Sequence, residues 1–174
     1  MAATVDIREK NGAGETATTK TSGTIRFKNA DDANVDLNNP IVRPGSGSVF
    51  SYAKSLRLRI GATGPTGSIT NPRAFSDSTN GFGTGVTMKA GTRGTYSNPG
   101  TLGAANMDPS VVTATNFFTY TSGSPLDMDV NNPGPFTGTN LDIADYLYLQ
   151  AEVASTAAPG LTPTETLTLA YDET

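Results

Sequence analysis

The stretch DMDVNN at residues 127–132 spaces carboxylate and amide oxygens two residues apart, as calcium-binding loops do. An EF-hand loop requires glycine at its sixth position and glutamate at its twelfth, but Asn132 and Gly138 stand there. A strand with one solvated face also produces this alternation of aspartate with apolar residues. We therefore interpret the stretch as a strand, with cation binding by Asp127 and Asp129 as the open alternative.

The glycine-rich stretch NGFGTG at residues 80–85 is the second candidate for chemistry, because such loops can cradle a phosphate. A phosphate loop needs a preceding strand and a following helix, preferably with a lysine. Here the next residues, VTMKAG, have the alternation of a strand. We therefore predict a turn.

Lys54, Arg57 and Arg59 in KSLRLR form a basic stripe that could meet an acidic partner. Like charges on a solvated strand face also discourage edge-to-edge pairing, and we favour that interpretation.

Tyr120, Tyr146 and Tyr148 could form an aromatic platform for sugar. Tyrosine is equally common as ordinary packing on strands, and the chain has no tryptophan, the strongest sugar-stacking residue. We favour packing.

The chain contains no cysteine and no histidine. This excludes disulfides, cysteine nucleophiles, Ser-His-Asp triads and the usual zinc sites. A carboxylate-based glycosidase remains conceivable, but nothing in the sequence brings two carboxylates together at the required separation. We therefore predict a protein that is not an enzyme, with no catalytic, cofactor-binding or metal-binding residues and no cofactor.

The composition favours one folded, mostly β domain spanning residues 1–174. The net charge of −4 is too small for charge-driven disorder, and threonine and glycine outweigh the strong helix formers. The acidic balance argues against nucleic acid as a partner. No apolar run has the length of a membrane span, and early charges interrupt any signal-peptide core, so we expect cytoplasmic synthesis and no membrane partner.

Short alternating segments separated by Gly/Pro/Asn clusters predict about eight to eleven strands in a single antiparallel β-sandwich, jelly-roll-like. Four Asn-Pro dipeptides are expected to start turns. Residues 29–47 and 98–111 are predicted to be long loops, which are often functional. The strand segments are ATVDIRE, GTIRFKN, SLRLRIG, GVTMKAG, TNFFTYTS, PLDMDVN, DYLYLQAEV and ETLTLAY, with weaker candidates at GSVFSYA, GSITN and RGTYS.

For three of these segments we predict where the apolar side chains point. Leu56, Leu58 and Ile60 are predicted to point inward, and TNFFTYTS is expected to place one phenylalanine ring on each face. The last segment is predicted to be the closing core strand, paired with DYLYLQAEV across residues 154–164.

The end of the chain, DYLYLQAEVASTAAPGLTPTETLTLAYDE, resembles the C-terminal strand pair of small structural proteins of tailed bacteriophages. VDIREKNG, KSLRLRI and TGVTMKAGT are similar in order and spacing. The resemblance is closest in character to a head decoration (cement) protein.

That resemblance implies a virion protein on the capsid exterior that is synthesised in the host cytoplasm. It also implies that the major capsid protein is its partner and that the chain forms a homotrimer. Residues 1–22 would be a flexible or partner-bound arm, because polar ends usually stay loose unless a partner holds them. The alternative function is a tail- or fibre-associated β-sandwich module that binds host-surface carbohydrate.

Overall fold

The computed structural model describes residues 2–108 and 110–174. Strands account for 37% of these residues and helices for 4%, which confirms the predicted all-β class. The described residues form ten strands: β1 (Val5–Asn11), β2 (Thr16–Thr19), β3 (Ser48–Phe50), β4 (Lys54–Ile60), β5 (Ile69–Phe75), β6 (Val86–Arg93), β7 (Thr115–Asn116), β8 (Leu126–Asp127), β9 (Leu141–Ala154) and β10 (Thr168–Glu173). A short helix α1 (Pro99–Leu102) and a single 3₁₀ turn (Phe117–Thr119) complete the secondary structure. No helix in the described part of the chain has the length and apolarity to cross a membrane.

The strands form two antiparallel sheets. The larger has the order β2-β1-β4-β9-β6-β7, with β3 pairing to β9 beyond the end of β4. The smaller has the order β10-β5-β8. The long strand β9 is the centre of the larger sheet, because β4 and β3 share one of its edges and β6 occupies the other.

The main core lies between the two sheets. Leu56, Leu147 and Leu149 of the larger sheet pack with Ala74 of β5 and with Met128 just beyond β8. Each fully buried leucine or methionine side chain stabilises the fold by roughly 1.5–3 kcal/mol relative to exposure. The inward prediction for Leu56, Leu58 and Ile60 is confirmed, since all three are buried.

The opposite face of β9 is buried as well. Tyr146 and Tyr148 pack with Met107 and Val112, which belong to the loop that crosses this face. Alternation therefore separates two sets of residues on β9, but both sets are interior. An antiparallel sheet can have one wet face, yet here long loops cover the centre of the second face.

The predicted pairing of the last strand with DYLYLQAEV is wrong. β10 pairs with β5 in the smaller sheet, with Leu169 opposite Ala74. Both edges of β9 are already occupied, so the connection after Ala154 crosses to the other sheet. Leu169 and Tyr171 nevertheless pack against the core, as their alternation predicts.

Three other strand predictions need correction. TNFFTYTS forms only the short β7 before the chain enters the 3₁₀ turn, in which Phe117 and Phe118 are both buried. β8 ends at Asp127, whose side chain accepts the backbone N–H of Asp129 and turns the chain, so Val130 is exposed. Residues 24–28 of GTIRFKN have no regular secondary structure.

The Asn71-Pro72 dipeptide lies inside β5 instead of starting a turn. Asn71 has a φ of 53°, and the register against β10 shifts between Ala170 and Asp172. A bulge tolerates both the left-handed residue and the missing proline N–H. The strand therefore continues through the Asn-Pro dipeptide, and the expected turn does not form.

Candidate functional site

Cation binding by Asp127 and Asp129 stays an alternative, but the asparagines that end the DMDVNN stretch bind a buried carboxylate. Asp145 is fully buried, and its two carboxylate oxygens accept four N–H groups from Asn131 and Asn132 at 2.8–3.1 Å. The two asparagines thus act as hydrogen-bond donors to the Asp145 carboxylate. Burial, together with Asp127 nearby, raises the pKa of Asp129. Within residues 2–108 and 110–174, no three acidic side chains converge as metal ligands.

The glycine stretch at residues 80–85 is a turn that leads into β6, as predicted. The Asn80 side chain accepts the N–H of Phe82 and donates to the carbonyl of Val86. Gly83 and Gly85 have φ values of 92° and 78°, which glycine adopts readily.

The expected basic stripe does not exist as one surface. Lys54 is 1% exposed and lies on the core side of β4, in phase with Leu56. Arg57 and Arg59 lie on the other face. The Arg57 guanidinium lies 4.3 Å from the ring centre of Tyr146, and Arg59 forms a 2.8 Å ion pair with Asp142.

The tyrosines do not form a sugar platform. Tyr146 and Tyr148 are interior, which confirms the packing interpretation. The Tyr146 hydroxyl donates to Glu15 at 2.6 Å, and burial together with this carboxylate raises the pKa of Tyr146 to about 12. The hydroxyl of Tyr120 forms a 2.6 Å hydrogen bond with the side chain of Thr115.

The feature that the structure adds is the anchored loop, residues 29–47, which has no regular secondary structure and is tied to the sheet by buried lysines. Lys28 is 1% exposed, and its ammonium lies 2.7 Å from Asp32 and 3.0 Å from Asp36. The Lys54 ammonium donates to the Asp32 carbonyl, and the Lys20 ammonium donates to the Ala33 carbonyl, each at 2.6 Å. Four of the five lysines in the chain are buried, so most of its lysine charge serves internal contacts.

A further acidic contact holds the beginning of the loop. Asp31 accepts the side-chain amide of Asn11 and the backbone N–H groups of Gly12 and Gly100 at 2.8–2.9 Å. These contacts join the loop to the end of β1 and to helix α1. The Asp31 carboxylate thus has hydrogen-bond donors for both of its oxygens, and it attaches the loop to these two elements.

The charged forms of Lys28, Asp32 and Asp36 stabilise one another. Burial alone would lower the pKa of Lys28, but the hydrogen bonds that its ammonium donates to Asp32 and Asp36, together with the charges of these two carboxylates, outweigh burial and raise that pKa. Burial opposes the charge on Asp32, but the bond to Lys28 lowers its pKa. For the partly exposed Asp36, the hydrogen bond from Lys28 is the main cause of a lowered pKa.

The anchored loop exposes three aliphatic side chains. Val35 is 51% exposed, Leu37 is 66% exposed and Val42 is 76% exposed. Single exposed apolar residues are ordinary, but three on one loop with a fixed base form a candidate contact surface. A cleft of about 320 Å³ beside the loop is lined by residues that already pair with one another, among them Asn11, Gly12 and Asp31.

Sequence reasoning identified the length of this loop but not its anchors. Asp32 and Asp36 each accept the N–H two residues ahead, from Asn34 and Asn38, and this Asp-X-Asn spacing was the only local signal. Lys54 lies far along the chain, so its contact depends on the tertiary fold.

Comparisons with protein-family models, with curated proteins and with solved structures found no match to this chain.

Proposed function

We propose that this chain is a non-enzymatic head decoration (cement) protein of a tailed bacteriophage. It binds the outside of the major capsid protein lattice, as a trimer with a jelly-roll-like sandwich, and stabilises the head. The resemblance of its strand segments to phage structural proteins supports the family. The observation that carries the contact is the anchored loop. It exposes Val35, Leu37 and Val42 above a base at which a buried lysine pairs with two aspartates.

Anchoring matters because ordering a free loop on binding would cost conformational entropy for every residue fixed. Lys28 and Lys54 already hold the base of this loop in the folded protein. Much of the conformational entropy is therefore lost during folding, and less remains to be lost when the aliphatic side chains bind a partner. Burying one such side chain contributes up to about 1.5–3 kcal/mol. A trimer repeats the contact three times, so avidity raises the occupancy of weak sites.

The test uses heads of the encoding phage that lack this protein. Wild-type chain is added to saturation, and occupancy is measured by cryo-electron microscopy and by quantitative gel. We expect many symmetric copies over the shell and a higher rupture temperature than for bare heads. Absence of shell density, or equal rupture temperatures with and without the chain, would overturn the proposal.

A loop variant separates this surface from the rest of the molecule. Val35→Ser, Leu37→Ser and Val42→Ser together remove the exposed aliphatic groups without touching the anchoring lysines. We expect unchanged thermal unfolding and at least a tenfold loss of capsid affinity, which corresponds to about 1.4 kcal/mol. Val130→Ser is the matched control, because Val130 is similarly exposed, at 67%, outside the loop.

The tail-module alternative needs an exposed aromatic or acidic pocket for carbohydrate. Of the three tyrosines that suggested it, Tyr146 and Tyr148 are interior, and Tyr120 is partly buried. A glycan-binding screen distinguishes the two functions, since saturable binding to a sugar would favour the tail module. The partner-bound arm at residues 1–22 stays a prediction, although β1 and β2 of that segment pair within the larger sheet.

A further inference from the structure

Three buried polar side chains meet at the end of the core where β1 and β4 lie side by side. Glu9 is 0% exposed, Lys54 is 1% exposed and Asn11 is 8% exposed. The Lys54 ammonium lies 3.0 Å from Oε1 of Glu9, and the side-chain nitrogen of Asn11 lies 3.4 Å from the same oxygen. One carboxylate oxygen therefore contacts both an amine and a primary amide.

The backbone holds these groups in place. The antiparallel register of β1 against β4 pairs Lys10 with Ser55, so the next step places Asn11 opposite Lys54. Side chains that face each other in this way have Cβ atoms about 4.5–5.5 Å apart. Glu9 lies on the same face as Asn11, two residues away. The amine, the amide and the acid are thus neighbours on hydrogen-bonded strands.

Two oxygen atoms of this cluster lack a hydrogen bond. Oε2 of Glu9 and Oδ1 of Asn11 are both buried, and neither accepts a hydrogen bond. The Lys20 ammonium lies 3.6 Å from Oε2, which is too long for a hydrogen bond. Buried acceptors without donors are rare and call for an explanation.

We propose that Lys54 and Asn11 condense into an intramolecular isopeptide bond, with Glu9 as the catalytic residue that carries protons. Glu9 accepts a proton from the Lys54 ammonium, and the resulting neutral amine attacks Cγ of Asn11. A bond forms between Nζ and Cγ, and the bond between Cγ and Nδ2 breaks. Glu9 passes the second amine proton to the departing nitrogen, which leaves as ammonia together with the first proton. No oxidant or co-reactant is required.

The product fits its surroundings. The new amide nitrogen retains one N–H, which preserves the donor that Lys54 now gives to the Asp32 carbonyl. The bond removes a buried positive charge and joins β1 to β4 at the base of the anchored loop.

The other lysines near Glu9 are committed elsewhere. Lys20 donates to the carbonyl oxygens of Thr24 and Ala33, and Lys10 pairs with Asp142. Lys54 is the lysine that contacts the acid within hydrogen-bonding distance. The structure thus identifies one nucleophile and supplies a matched control in Lys20.

A competing reaction loses the same mass and must be distinguished. Asn11 precedes Gly12, and attack by the Gly12 nitrogen on the asparagine side chain would form a succinimide with loss of ammonia. Here the Gly12 N–H donates to Asp31 at 2.8 Å, which holds that nitrogen away from the reaction. A succinimide leaves the chain unbranched, whereas an isopeptide bond branches it.

The experiment is mass spectrometry of the purified full chain. We expect the wild type to be about 17 Da lighter than its sequence requires, because one ammonia is lost. Trypsin should yield a branched peptide that joins residues 11–20 to residues 29–57, because a linked Lys54 is not cleaved. Lys54→Arg should restore the full mass, Lys20→Arg should keep the loss, and Glu9→Gln should slow or abolish the linkage.

Two results would overturn the proposal. One is a wild-type mass equal to that of the sequence, with a free peptide ending at Lys54. The other is a mass loss that persists in Lys54→Arg with no branched peptide, which would assign the loss to a succinimide. The wild-type spectrum decides the matter by itself, even where a variant fails to fold.

Discussion

Replacing Lys28 by methionine tests whether buried lysines hold the anchored loop in place. Methionine keeps most of the length of the buried stem but removes the ammonium that lies 2.7 Å from Asp32 and 3.0 Å from Asp36. The backbone contact from Tyr52 to the Lys28 carbonyl does not depend on the side chain and should remain.

The expected loss of stability in Lys28→Met depends on how exposed the two aspartates are. A hydrogen bond to a charged group contributes about 1.5–3 kcal/mol when buried. The side chains of Asp32 and Asp36 are 33% and 37% exposed, so water replaces part of what they lose. The variant also avoids burying an ammonium, which offsets some of the cost. We therefore expect a net loss of about 1–2 kcal/mol, confined mainly to the loop.

Hydrogen exchange measures that loss directly. The Asn29 N–H donates to the Asn39 carbonyl at 2.7 Å, so its exchange reports closure of the loop. A loss of about 1–2 kcal/mol should speed its exchange roughly 5- to 30-fold. Amides of the β4–β9 ladder should exchange as in the wild type.

Lys89→Met is the matched control. The Lys89 ammonium lies 3.4 Å from Glu152, and both side chains are about a quarter exposed. Pairs of this kind contribute about 0–1 kcal/mol. If Lys28→Met changes the exchange of Asn29 no more than Lys89→Met does, then the buried lysine does not anchor the loop.

Three further outcomes test other parts of the structure. Tyr148→Phe removes a hydroxyl that contacts the backbone of Ser97, so the free energy of unfolding measured in urea should fall by about 1–2 kcal/mol. An unchanged free energy of unfolding would mean that this hydroxyl does not hold the covering loop. Truncation after Pro163 removes β10 and uncovers Ile69, so cooperative unfolding followed by circular dichroism should disappear; a folded truncated chain would make β10 peripheral. Although burial opposes the charge on Asp142, hydrogen bonds from two cations lower its pKa below 3.8, so its contribution to stability is present above pH 3.8 and is lost as pH falls through the lowered value. Unfolding free energies measured through this range should fall less steeply for Asp142→Asn than for the wild type, and parallel slopes would contradict the assignment.

Alternation predicted the faces of strands better than it predicted their surroundings. Leu56 and Leu58 are interior as expected, and Lys54 shares their phase on β4. Lys54 was nevertheless assigned to a solvated stripe because of its charge. The period of two was the better guide, since a buried lysine is stable when a carboxylate and a carbonyl lie within reach.

The candidate contact surface could be predicted only in part. The length of residues 29–47 and the Asp-X-Asn turns at Asp32 and Asp36 are visible in the sequence. The ion pairs that fix the loop depend on Lys28 and Lys54, and the latter enters the site only because β4 packs beside the loop.

The sequence by itself determined the all-β class, the turn at residues 80–85 and the inward side of β4. These follow from backbone preferences and a period of two, which act between near neighbours. Only the tertiary structure decided that β10 joins β5, that loops cover Tyr148, and that Glu9, Asn11 and Lys54 meet. Such contacts join residues far apart in the chain, and the competition among all strands for edges and faces selects them.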